Sequence, residues 1–153
     1  MKHPLALALA IALTGSLAAC AESSAAKPDT AQSEAAVNEA NPLFTESTLP
    51  LHYPPFDRID DSHFGPAMDR GMEEHLAEIQ AIVDNDEPAT FENTILALEK
   101  SGETLSRATG VFFSLAGVEN NDAKKAIQAE YAPKLSAHRD SIALDPKLFD
   151  RIQ

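Results

Sequence analysis

Cysteine is almost missing from this 153-residue sequence. Cys20 stands alone, so no disulfide can form within the chain. Tryptophan is absent, and two tyrosines and seven phenylalanines supply all the aromatic rings. Basic side chains are scarce, with 12 Lys and Arg against 24 Asp and Glu and a net charge of −12. Such a surface repels nucleic acid and anionic headgroups, and no basic stripe or aromatic cluster set among Lys or Arg offsets it. Nucleic acid is therefore excluded as a partner, and the acidity serves solubility. The apolar run Leu5–Leu13 falls well short of the about 20 residues that a membrane-spanning helix needs. No polar–apolar alternation is long enough for a useful strand, and nothing recurs at solenoid periods. Gly65, Gly71, Gly102, Gly110 and Gly117 fit neither a phosphate loop nor a dinucleotide fingerprint.

The five histidines, His3, His52, His63, His75 and His138, never come within four positions of one another. A His-Glu-x-x-His helix, which sets two imidazoles on one face with a Glu between them as base, cannot be built from them. His63 and His75 share one expected helix but lie about 18 Å apart along its axis, far beyond metal bonds of roughly 2 Å. His75 falls in the apolar stripe of that helix and reads as a satisfied core histidine. Glu73-Glu74-His75 reads as a solvated charged edge, because adjacent helical residues point different ways. Met68 and Met72 read as core residues, and no serine has a His and Asp partner that sequence identifies. The residues thus give no catalytic group and no metal ligand.

What the chain does have begins at its N-terminus. Lys2 supplies a positive charge, Leu5–Leu13 an apolar core, and Thr14-Gly15-Ser16 a break. Leu17-Ala18-Ala19-Cys20 then resembles the lipobox of bacterial lipoproteins. The resemblance implies that residues 1–19 are a lipoprotein signal peptide. It also implies that the Cys20 thiol is acylated and that Cys20 becomes the first residue of the mature chain. Acyl chains gain about 0.8 kcal/mol per buried CH₂, so several on one cysteine hold a protein to a membrane permanently. Ala21 stands where an Asp would resemble an inner-membrane retention signal, which points to the periplasm-facing side of the outer membrane. Residues 20–40, the lipidated Cys and a stretch of small and polar side chains, bury too little to order themselves and read as a disordered tether of roughly 25 Å.

From Asn41 the composition changes. Pro42, Pro50, Pro54 and Pro55 punctuate Asn41 to Arg58, while Leu43, Phe44, Leu49, Leu51, Tyr53 and Phe56 predict an extended segment pinned onto a domain surface. Asp61 or Ser62 is the expected N-cap of a long helix that carries Pro66 in its opening turn. Phe64, Met68, Met72, Leu76, Ile79 and Val83 share an arc of about 120° at 100° per residue, with Asp69, Glu73, Glu78 and Asp84 outside it. Thr90 caps a second helix with Phe91, Ile95 and Leu98 on one side, and Ser101-Gly102 breaks it. Glu103 to Gly117 is apolar nearly all round, through Leu105, Ala108, Val111, Phe112, Phe113, Leu115 and Ala116. Its charged residues, Glu103 and Arg107, are placed for an i,i+4 pair. Such a helix calls for more surrounding helix than this chain obviously supplies. Asn121 caps a further helix with Ile127, Tyr131, Leu135, His138 and Ile142, kinked or restarted at Pro133. Asp145-Pro146 opens a last one with Leu148, Phe149 and Ile152, and the sequence stops at Gln153 without a capping signal, as a chain cut mid-helix would. The fold class is all-α.

Four stretches carry a likeness. Asn41-Pro-Leu-Phe-Thr-Glu-Ser-Thr-Leu-Pro50 leads to Phe56-Asp-Arg-Ile-Asp-Asp-Ser-His-Phe-Gly-Pro-Ala-Met68. Phe91-Glu-Asn-Thr-Ile-Leu-Ala-Leu-Glu-Lys-Ser-Gly102 and Val111-Phe-Phe-Ser-Leu115 follow. Together they resemble the N-terminal region of bacterial peptidyl-dipeptidases (dipeptidyl carboxypeptidases) of the thimet oligopeptidase family. The resemblance runs from Asn41 to Gln153. It implies the helical N-terminal part of a two-lobed, mostly helical zinc metallopeptidase whose channel admits short peptides and whose zinc-bound water releases dipeptides from a free C-terminus. The family's His-Glu-x-x-His helix lies in the C-terminal part of a much longer chain. On this reading residues 41–153 are an incomplete domain that stops before the catalytic region, and no zinc, catalytic residue or metal ligand is expected on them. The rival reading is a stand-alone helical lipoprotein that binds a partner or a peptide without catalysis.

Overall fold

Asp60 starts the first long helix, one residue earlier than expected. Its carboxylate accepts from the Ser62 amide at 3.1 Å, and His63 Nδ1 accepts from the Asp60 amide at 2.9 Å. This cap opens a 3₁₀ turn, Asp61–His63, that runs directly into helix α1, Phe64–Val83. The computed structural model describes residues 41–153; Cys20, the expected signal peptide 1–19 and the tether 20–40 lie outside the described residues. Among the described residues every regular element is helical. A π-helical stretch, Phe91–Leu96, leads into the short α2, Ala97–Glu99. The longer α3, Glu103–Val118, and α4, Asp122–Ala143, follow, and α5, Pro146–Ile152, comes last.

Helix α1 is the axle on which the rest packs. Its N-terminal half buries Phe64, Ala67 and Met68 against Ala108, Val111 and Phe112 of α3, Tyr131 of α4 and Leu43. Phe64 and Phe112 are fully buried and meet edge to face at 5.1 Å between ring centroids, an arrangement worth about 0.5–1.5 kcal/mol beyond the area buried. Gly71 permits the approach of α1 to α3: a Cβ there would stand 2.7 Å from the Leu105 backbone. The C-terminal half of α1 buries Ile79 and Ile82 against Leu148 of α5, a much smaller cluster.

Several expectations need correction. The buried face of α1 is centred on Ala67, Gly71 and Ile82 as well as Phe64, Met68 and Ile79, and Leu76 is left 43% exposed. Small residues admit the partner helices closely and so rotate the face away from Leu76. Asp61 is no cap: its carboxylate takes Lys124 Nζ at 2.8 Å and Asn121 Nδ2 at 2.7 Å, joining the start of α1 to the start of α4. Phe91 and Ile95 are exposed, and the residue that turns inward on their helix is Thr94. Arg107 does not pair with Glu103. It donates to the Leu43 carbonyl at 3.0 Å and the Phe44 carbonyl at 3.3 Å, where fixed acceptors outcompete a solvated carboxylate. Of the proline-rich segment, Asn41 and Leu43 are buried and Phe44 half-buried, while Leu49, Leu51, Tyr53 and Phe56 face outward and Pro50–His52 and Phe56–Arg58 form 3₁₀ turns. Helix α4 runs through Pro133 as one element. The caps at Thr90, Asn121 and Asp145 form as expected.

The helix apolar nearly all round also resolves. α3 buries Ala108, Val111 and Phe112, half-buries Leu105, Leu115 and Ala116, and leaves Phe113 and Val118 exposed.

Candidate functional site

The polar groups that come together do so at the corner between α2 and α3. Ser101 and Gly102 form that corner because Gly102 takes the left-handed backbone, φ 74°, which glycine adopts without strain. The Gly102 amide donates to a Glu78 carboxylate oxygen on α1 at 2.7 Å. One helical turn earlier on α1, His75 packs over the same corner, where a Cβ on Gly102 would fall 2.9 Å from its Nδ1.

His75 does not sit there as an isolated core residue. Its Nδ1 is 3.0 Å from Nε2 of His138 on α4, and its Nε2 is 3.2 Å from Ser101 Oγ. The Ser101 hydroxyl donates to the Leu98 carbonyl at 2.7 Å, which fixes the proton order. With that hydrogen spent, His75 Nε2 must donate to Ser101 Oγ, so His75 Nδ1 is the acceptor and His138 Nε2–H the donor. His138 Nδ1 is then a bare acceptor, and it is buried with no partner. Burial pushes the pKa of both imidazoles below the ordinary histidine value; Glu78 opposes this at His75, while the neighbouring His75 adds to it at His138. Each residue fell in an apolar stripe of its helix. Sixty-three positions separate them, so spacing could not reveal the pair; two histidines each on an inward face was the signal that could have.

Glu78 and Ser101 also line a groove of about 430 Å³ with Ala81, Ile82, Asn85, Asn93, Ala97 and Lys100. Arg151 of α5 ties two of these lining residues together. Its guanidinium donates to the Asn85 carbonyl and, at 3.3 Å, to Asn93 Oδ1, the oxygen that also caps the helix at Thr90. Sequence reasoning missed Arg151, whose last-turn position gave it no distinguishing mark.

The other expected residues lie elsewhere. His63 serves as a cap, and His52 is exposed beside Glu46 and the Ser47 carbonyl. Glu73 is solvated, whereas Glu74 accepts from Arg70 at 2.6 Å, which holds its carboxyl below the usual range. Tyr131 donates to Asp69 at 2.7 Å, and burial with that bond pushes its hydroxyl well above its ordinary pKa. Among the described residues no three His, Cys, Asp or Glu side chains gather as metal ligands, and two imidazoles already bonded to each other do not fit a zinc site.

No family model matches the chain. It is 42% identical over 112 residues to the dipeptidyl carboxypeptidases of Salmonella typhimurium (strain LT2) and Escherichia coli (strain K12). The match takes in 73% of this chain and 16% of each of those proteins. The chain is thus a relative of dipeptidyl carboxypeptidases that spans about a sixth of their length.

Proposed function

We propose that this chain forms the N-terminal part of an exported, lipid-anchored zinc peptidyl-dipeptidase that removes dipeptides from the C-terminus of short peptides. The observation that carries the reading is the 42% identity, sustained over 112 residues, to proteins named for that activity. In this reading residues 41–153 build helical wall rather than chemistry. They hold none of the donors that bind zinc and polarise its water, and no catalytic step runs through them. The zinc site belongs to the remainder of a polypeptide of the relatives' length. Zinc there would supply a Lewis acid and a nucleophilic water.

The leader completes the proposal. Cys20, acylated after removal of residues 1–19, holds the protein on the periplasmic face of the outer membrane, and residues 21–40 space the helical domain from the headgroups. The acidic domain adds no affinity for anionic lipid.

The test is made on the product of the gene that encodes this chain, isolated from membranes and given a blocked tetrapeptide. We expect chelator-sensitive release of the C-terminal dipeptide, and Cys20→Ser should move the activity to the soluble fraction without abolishing it. A product that lacks peptidase activity, with or without added zinc, overturns the enzymatic reading and leaves a helical lipoprotein that binds a partner or peptide. Unchanged membrane partition of Cys20→Ser overturns the anchor alone.

A further inference from the structure

We propose that His75, His138 and Ser101 form an acid-sensitive latch that joins α4 to the α1–α2 side of the bundle and opens when an imidazole gains a proton.

The geometry leaves no comfortable place for that proton. In the neutral state the bonds run in one direction, from His138 Nε2–H to His75 Nδ1, from His75 Nε2–H to Ser101 Oγ, and from Ser101 Oγ–H to the Leu98 carbonyl. A proton on His75 Nδ1 would face the His138 N–H at 3.0 Å, two donors with no acceptor between them. Relief would require His138 to move its own hydrogen to Nδ1. That atom is buried and has no acceptor, so the proton there would be an unsatisfied donor. A proton placed directly on His138 Nδ1 keeps the inter-ring bond but puts a full charge at the same unpartnered position. Each route breaks a bond or buries an unpaired charge.

The surroundings do not rescue it. The charged group acting on His75 is Glu78, on the same helix, and its carboxylate is already committed to the Gly102 amide. The α2–α3 corner presents to His75 the Ser101 hydroxyl and the Gly102 backbone, neither of them an anion. On the α4 side the group acting on His138 is His75. The direction of both pKa shifts agrees with the geometry.

Latch and groove share parts. Ser101 is bonded to His75 and lines the groove, and Glu78, which also lines it, accepts from the amide of Gly102 next to Ser101. Opening at the pair therefore loosens the groove's α1–corner wall as well as α4. Since the unfolded or opened chain takes up protons near pH 6.5 and the closed pair does so only at lower pH, closure is complete above that value and weakens as pH falls through it.

Hydrogen–deuterium exchange on the full chain, corrected for intrinsic rates, reads the latch directly. Between pH 7.5 and pH 5.5 the protection of the α4 amides around His138 should fall about tenfold for one suppressed proton and up to about a hundredfold for two. In His138→Gln the side-chain amide donates to neutral His75 and, by turning over, accepts from protonated His75, while it takes no proton itself, so most of that pH dependence should vanish. Carbon and nitrogen shifts of the imidazoles in the unsubstituted protein give a second readout that needs no variant. They should show His138 as the Nε2–H tautomer and both rings titrating below 6.5. Titration of both rings at or above 6.5 overturns the proposal. So does protection at α4 that is indifferent to pH, or that follows pH equally in His138→Gln.

Discussion

The two halves of α1 are held by different physics. Around Phe64 and Met68 the helix is clamped by an apolar core of α3, α4 and Leu43, in which Phe64, Ala67, Met68, Ala108 and Phe112 lose all contact with solvent. Around Ile79 and Ile82 the cluster is smaller, three buried apolar residues with Val83, Ala97, Leu98 and Ile142 half-buried against them, and polar bonds share the work: the His75–His138 pair, Glu78 on the Gly102 amide, and Arg151 on the loop that leaves α1. Apolar burial is indifferent to pH and direction. Hydrogen bonds between partly exposed groups are neither, and net about 1 kcal/mol each. The first half therefore resembles a foundation, and the second a joint that can open without the first.

Phe112→Ala is the strongest way to break that comparison. It removes a fully buried ring from the first core and should cost about 3–5 kcal/mol, lowering the urea midpoint of the whole domain. Leu148→Ala, in the second cluster, should cost about 2 kcal/mol, because a site beside an open groove relaxes more readily. Equal losses would mean that the two clusters form one cooperative core.

Gly71→Ala sharpens the same contrast from the backbone side. Its added Cβ meets main chain at 2.7 Å, which cannot rotate away, so α1 and α3 must separate. A loss of about 1–3 kcal/mol is expected, and near-ultraviolet dichroism should record the disturbed Phe64–Phe112 contact.

Much of this architecture was legible in the sequence, and the failures share a cause. Helices were marked by local signals: Thr90, Asn121 and Asp145 as caps, Ser101-Gly102 as a break, and four-residue apolar spacing along α1 and α4. What spacing could not supply was the rotation of each helix against its neighbours. Leu76 fell outside the buried face because Ala67 and Gly71 bring the partners in at another angle. Arg107 left Glu103 for carbonyls of Leu43 and Phe44, acceptors more than sixty positions away. The histidine pair and Arg151 escaped notice for the same reason. A bond between distant positions leaves no periodic trace, and the cluster beside the groove is made almost wholly of such bonds.

Acid should undo the halves in sequence. Lys124 and Asn121 hold the Asp61 carboxyl below its ordinary range, and Arg70 does the same for Glu74. A carboxyl with a lowered folded pKa stabilises above its unfolded value near 4, and that contribution disappears as pH falls through the lower folded value. The histidines act earlier, since their folded pKa is lowered for a group that is charged in acid, and stability begins to fall below about 6.5. Between pH 6.5 and 4.5 we expect α4 near His138 to lose protection while the Phe64–Phe112 core keeps it. Simultaneous loss in both would erase the distinction.

The smallest expected effect lies at the start of α5. Asp145 Oδ1 accepts from the amides of Lys147 at 2.8 Å and Leu148 at 3.1 Å, and Pro146 follows at the first helical position. Replacing such a cap with Ala costs about 1 kcal/mol. In a long helix this would fray one turn. α5 has seven residues, too few to persist by local propensity, so it stands on this cap, on Leu148 and on Arg151. Asp145→Ala should therefore release the whole helix rather than its first turn, and with it the Arg151 bonds to Asn85 and Asn93 of the groove lining. Exchange at the α5 amides should rise about fivefold, the factor that about 1 kcal/mol represents, and the Asn85 region should follow. The first core should not move. Faster exchange confined to Lys147 and Leu148 would show that α5 is held more firmly than its length and its one buried leucine imply.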